Sequence, residues 1–214
     1  MSIKRYFVHE GYKKMQIDEY LMKEFERAGY AGMEMYKTPL GTRITIYAER
    51  PGIIIGRGGT TIKKLAEVLE KRFGVERPQI AIAQVQNPEL NAKVMALRIA
   101  RAMEKGVNFR RAAFVALRQI MDAGARGAEI IISGKLRSER ANYEKVKAGE
   151  LLKAGEKKEV LVDEAKAEVL LKPGKYGIKV RIMPPVKTPD EITIKEKAEL
   201  EEEEGEESGD NKSE

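Results

Sequence analysis

Ile54-Ile55-Gly56-Arg57-Gly58-Gly59-Thr60-Thr61-Ile62 places a glycine turn between two apolar helical stretches. Gly56, Gly58 and Gly59 carry no side chains that would hold a partner's backbone away. The turn amides, followed by a helix N-terminus, suit phosphate oxygens. Arg57 adds a charge from inside the turn, and Lys63 and Lys64 add two more just beyond it. Ile62, Leu65, Ala66, Leu69 and Phe73 recur at helical spacing, which leaves Lys63, Lys64, Lys71 and Arg72 off the apolar stripe. Gly74 ends that helix.

Two familiar phosphate loops do not fit this turn. A dinucleotide-binding fingerprint needs G-x-G-x-x-G, and counting from Gly56 puts Thr61 at the third glycine. A P-loop needs Gly-Lys-Ser/Thr, and the chain has no such tripeptide. A bare helix cap explains a lone G-x-x-G but not its flanks. The pattern I-G-x-x-G-x-x-I is that of a KH module, whose loop clamps about four nucleotides. Its surroundings agree. A helix is expected from about Asp18, burying Ile17, Tyr20, Leu21 and Phe25 and stopping by Gly29. Strands over Gly32–Lys37 and Thr42–Tyr47 flank a Thr38-Pro39-Leu40-Gly41 turn, and a third strand covers Gln79–Ala83. The order is α-β-β-α-α-β.

Composition narrows the function classes. At 214 residues and 42% hydrophobic, the chain suits one large or two small domains. No 18-residue apolar run or secretory leader is evident, so a soluble intracellular chain without membrane contact is expected. With no cysteine there is no disulfide, thiol nucleophile or thiolate metal site, and His9 is the only histidine. No catalytic residue, metal or cofactor is expected, and His9 is read as a surface or phosphate-facing side chain. The net charge of +6 hides an asymmetry: Glu196–Glu214 holds 10 acidic and 2 basic residues, so residues 1–195 carry +14. A body this basic favours nucleic acid. Thermal adaptation enriches Glu and Lys together and does not produce such an excess. The tail around Glu201-Glu202-Glu203-Glu204 cannot build a core and is expected to be disordered.

The first residues, with Lys4, Arg5, Lys13 and Lys14 among Tyr6, Phe7 and Tyr12, read as a basic arm. The second half opens at Asn87-Pro88, an N-cap with a first-turn proline, and its helix runs to Gly106. Asn108 caps a second helix, Phe109–Asp122, on which Arg111 and Arg118 share a face with Phe114, flanked by Arg110. Strands are expected at Glu129–Ser133, Leu136 to Leu152, Glu159–Leu171 and Gly177–Met183. Gly124-Ala125-Arg126-Gly127 repeats the G-x-x-G spacing. Lying between a helix and a strand, it is read as a structural cap. The fold class is α+β, with a basic arm at 1–16, a KH domain at 17–86, a second α+β domain with a largely antiparallel sheet and two helices at 87–186, and an extension with the acidic tail at 187–214.

Ile54–Gly59, Gly106-Val107-Asn108-Phe109-Arg110-Arg111-Ala112, Gly124–Gly127, Ile132-Ser133-Gly134-Lys135-Leu136 and Gly177-Ile178-Lys179-Val180 together carry a resemblance. The chain resembles the universal small-subunit ribosomal protein family numbered three in its series, in the archaeal and eukaryotic form. The resemblance implies a structural, cytoplasmic place in the head of the small ribosomal subunit, bound to ribosomal RNA beside neighbouring head proteins, without homo-oligomers. It implies that the second domain lines the mRNA entry channel and aids passage of structured mRNA. Arg110 and Arg111 match two basic channel positions; a third falls on Phe114, and Arg118 is the candidate substitute. Eukaryotic relatives are credited with DNA lyase activity through a lysine of the second glycine loop. Here that residue is Arg126, whose guanidinium stays protonated and cannot form a Schiff base. The alternatives are a free KH regulator of RNA and, behind it, a DNA repair lyase.

Overall fold

The computed structural model describes residues 3–186, so the acidic tail lies outside the described residues. Helix α1 spans Ile3–Glu24, and only its second half is buried, through Ile17 and Leu21, with Phe25 directly after it. The expected arm is therefore the front of this helix. Lys, Met, Gln and Glu sustain it, and no proline interrupts it. Tertiary contacts then hold it: Lys37 of the hairpin pairs with Glu10 at 2.7 Å and donates to the Tyr6 hydroxyl at 2.9 Å. His9 is exposed.

Strands β1 (Tyr30–Thr38) and β2 (Gly41–Ala48) form an antiparallel hairpin, and β3 (Pro78–Gln84) joins β2 in parallel. Between β2 and β3 run α2 (Pro51–Ile55), a single 3-10 turn, and α3 (Thr60–Phe73). Ile44, Ile46 and Ala48 alternate inward from β2 and meet Ile54, Leu65 and Leu69 from the two helices. The expected α-β-β-α-α-β order stands.

The second region packs α4 (Ala92–Glu104) and α5 (Phe109–Asp122) on a four-stranded antiparallel sheet ordered β5-β4-β7-β6. Its strands are β4 (Gly127–Gly134), β5 (Asn142–Gly149), β6 (Asp163–Leu171) and β7 (Gly174–Met183). Alanines at 92, 96, 100, 112, 113 and 116 keep the helix faces thin, so Ile130, Ile132, Ile178, Val180 and Ile182 pack directly beneath them.

Three expectations shift here. Pro88 sits in a 3-10 turn, and α4 begins later, capped by Asn91, whose Oδ1 accepts from the Val94 amide at 3.1 Å. Asp163 from β6 accepts the Ala92 amide at 2.8 Å, so two acceptors meet at that end and fix the start. The strand expected from Leu136 is only β5; the polar run 135–141 turns instead, where Gly134 passes against the Tyr176 ring. The start of the strand expected from Glu159 is helix α6 (Glu156–Leu161). That segment must carry the chain from β5, at one sheet edge, to β6 at the other, and cannot pair with either on the way.

Helix α4 also bridges the two regions with cations. Arg98 holds Glu49 at 3.0 Å and Glu89 at 3.1 Å, and Lys93 pairs with Asp18 at 3.4 Å. Asp18 also accepts from the Tyr30 hydroxyl, whose ionisation is pushed up, first by burial and then by that bond.

Candidate nucleic-acid interface

The first candidate site is the junction of α2 and α3. Buried Ile54 pins α2, and Gly56 ends it at φ 72°, donating its amide to the Gly52 carbonyl at 3.0 Å. A Cβ on Gly56 would run into Thr61 Oγ1, so only glycine allows the chain to double back here. Gly58 and Gly59 follow at φ 59° and 74°, and a Cβ on Gly58 would meet nothing within 4 Å. The turn is thus tight on its inner side and open at its tip.

No side chain caps the first turn of α3, so its remaining amide groups stay available at an exposed helix start, where the dipole favours an anion. Arg57, Lys63 and Lys64 are all exposed around that end, and none has an acidic partner among the described residues. Further along α3, Lys71 pairs with Glu67 at 3.3 Å, and Arg72 lies over the rings of Tyr20 and Phe73. Among the described residues, the cations of this helix and turn left without an acidic or aromatic partner are those beside the glycines. Ile53 and Ile55, 44% and 42% exposed, add an apolar rim.

The second candidate site is the exposed face of α5. Asn108 Oδ1 accepts the Arg110 amide at 3.0 Å and starts the helix as expected. Ala112, Ala113, Ala116, Leu117 and Ile120 bury one side and leave Arg110, Arg111, Phe114, Val115 and Arg118 outside. The three arginines do not act as one row. Arg110 reaches back to β5, where Glu144 holds it at 2.6 Å, and the same carboxylate holds Arg137 at 3.3 Å. Arg118 only approaches Asp122, at 3.9 Å on an exposed surface. Arg111 has no acidic partner among the described residues and borders the groove between α4 and α5 with Lys105 and Val115.

Arg137 is therefore brought to the Arg110 site by the fold, and sequence reasoning missed it. The signal was present: Lys135, Arg137 and Arg140 fall within seven residues, hidden inside a segment read as strand. Arg140 borders a separate cleft with Tyr143 and Lys175.

The second glycine turn differs. Gly124, at φ 87°, donates to the Met121 carbonyl at 3.0 Å, and Ala125 donates to Ile120 at 3.3 Å, a Schellman closure of α5. The Arg126 amide goes to Met183 at 3.0 Å, and its guanidinium meets Glu150 at 3.1 Å. A Cβ on Gly127 would collide with the Glu150 backbone. These amides are committed internally.

No helix among the described residues is long and apolar enough to cross a membrane. Comparison with known families matches the KH domain over residues 16–90 and the C-terminal domain of ribosomal protein S3 over residues 99–182. Small ribosomal subunit protein uS3 of Saccharolobus solfataricus is 57% identical over 195 residues, covering 91% of this chain and 85% of the relative. The uS3 protein of Sulfolobus acidocaldarius is 55% identical over 203 residues, covering 95% and 88%. That of Thermofilum pendens is 55% identical over 191 residues, covering 89% and 95%. With two family matches in tandem and such identity over most of its length, the chain belongs to the uS3 family of small-ribosomal-subunit proteins.

Proposed function

We propose that this chain, as a structural constituent of the small ribosomal subunit, binds ribosomal RNA through its glycine turn and lines the mRNA entry channel with α5. Gly56–Gly59 admit a sugar–phosphate backbone, the start of α3 offers amides to its oxygens, and Arg57, Lys63 and Lys64 supply counter-charge. Arg110 and Arg111 form the channel wall, with Arg137 beside Arg110 and Arg118 two turns further on. Small-subunit RNA, mRNA and neighbouring head proteins are the partners.

The observation that carries the channel reading is rigidity behind charge. Arg110 and Arg111 project from the first turn of a helix whose other side is buried on a sheet. Guanidinium groups carried on a backbone held in this way can meet phosphates of a separated strand while the ribosome's own translocation does the work. No catalytic step is needed. The uS3 relatives are named as ribosomal proteins, and Arg126 is tied to Glu150, so the lyase alternative finds no support.

Ribosomes carrying Arg110→Ala with Arg111→Ala test the reading. Loss of two charge contacts, together about 1 kcal/mol, slows passage through a stable mRNA hairpin roughly fivefold. Unstructured messages are translated near the normal rate. Equal slowing of both message types would count against strand opening.

A further inference from the structure

The face of the second sheet turned away from α4 and α5 carries a charge pattern that neither candidate site uses. Register sets its rows. Lys147 of β5, Glu129 of β4, Arg181 of β7 and Glu164 of β6 lie side by side. The next row, two residues along, is Lys145, Ile131, Lys179 and Lys166. The first row alternates in sign; the second is cationic except for Ile131. Lys166 and Lys179 stand directly opposite each other across β6 and β7, a placement that weakens a sheet.

The carboxylates on this face are already engaged. Buried Glu129 meets Arg181 at 2.9 Å, Lys145, and Lys153 of the crossover at 3.9 Å. Burial alone would raise its carboxyl, but the hydrogen bonds from Lys145 and Arg181 and the nearby Lys153 outweigh it and hold it below the usual range. Glu164 is shared by Lys179 at 2.6 Å and Arg181 at 2.8 Å; the Lys179 bond leads in bringing its carboxyl down to about 2. Lys147 and Lys166 are exposed and have no acidic partner among the described residues.

We propose that this sheet face binds the phosphate backbone of an RNA duplex, with Lys147 and Lys166 as its free contacts. The proposal rests on the chain being an RNA binder, and adds a surface to that reading. The cations spread across four strands, roughly 15 Å at the usual strand spacing, instead of gathering in a pocket. The two rows themselves carry no aromatic ring, and the nearest one on this face, exposed Tyr143, stands one row along at the β5 edge, so backbone rather than stacked bases is what the lysines can hold. They also lack the apolar centre of a protein interface. Because α5 lies on the other side of the sheet, the domain is anchored on one face and free to meet a moving strand on the other.

The test uses the full chain with three probes: a short generic RNA duplex, single-stranded oligouridylate and polyglutamate. K147E/K166E should lower duplex affinity about tenfold and flatten the dependence of log affinity on log salt by about two, leaving oligouridylate binding intact. K147Q/K166Q should shift the same quantities less, with a melting temperature matching the parent. K23E/K172E makes an equal charge change elsewhere and should leave duplex binding alone. Unchanged duplex affinity in K147E/K166E overturns the proposal, as does an equal loss in K23E/K172E. Loss of polyglutamate binding with duplex binding intact would mean an acidic protein partner, and also overturns it. Gly58→Asp separates the two readings: oligouridylate binding that survives it defeats the glycine-turn reading, whatever the sheet variants do.

Discussion

Two turns with the same G-x-x-G spacing occupy different places in this fold. At Gly56–Gly59 the turn leads into a helix start without a side-chain cap, its tip is open, and around it lie Arg57, Lys63 and Lys64, which have no acidic partner among the described residues. At Gly124–Gly127 the turn closes a helix end, and the Gly124, Ala125 and Arg126 amides all find carbonyls inside the protein. A helix start leaves donors over, whereas a helix end needs donors to satisfy its carbonyls. Position in the chain of elements, not glycine spacing, decides which turn has amides left for phosphate.

The contrast breaks most easily at the glycines themselves. Gly127→Ala drives a Cβ into the Glu150 backbone and should cost about 3 kcal/mol, seen as a large drop in the denaturant midpoint. Gly58→Ala meets open space and pays only for its left-handed backbone, about 1 kcal/mol. Similar losses at both positions would erase the distinction between packed and open turns.

A next, smaller effect concerns binding. Arg57→Asp with Gly58→Asp should weaken association with single-stranded RNA roughly tenfold, through charge reversal and a side chain where the backbone must approach. Circular dichroism should show the fold retained, and filter binding at low salt reads the affinity. Undiminished affinity would reduce the first turn to a cap like the second.

The smallest effect is expected at Arg126. Its guanidinium is engaged with Glu150, so Arg126→Ala should leave RNA affinity within about twofold and cost under about 1 kcal/mol of stability. A tenfold loss of RNA binding would mean that the second turn also faces a ligand.

Much of the KH region was legible because its signals are local. Glycines fix the turn, and Leu65, Leu69, Ile44 and Ile46 reveal helix and strand by period alone, so the α-β-β-α-α-β order follows. Asn108 was equally readable, since a cap needs only the next two residues. The limits of α1 and β5 were less so. The front of α1, residues 3–16, reads as a basic arm from its charges, and its contacts to Lys37 of the distant hairpin are invisible to local pattern. Whether 135–141 extends or turns depends on Tyr176 packing beside Gly134.

By itself, the sequence determined the α+β class, the two regions, the basic body, the open glycine turn and the arginines at the head of α5. Those rest on residue type and on periods of a few residues, which backbone geometry reads directly. Only the tertiary structure decided that Arg110 shares Glu144 with Arg137, that Asp163 joins Asn91 at the start of α4, and that Lys166 faces Lys179. Each of these depends on strand register or on packing between distant segments, and charge contacts form wherever the buried apolar faces happen to bring their carriers together.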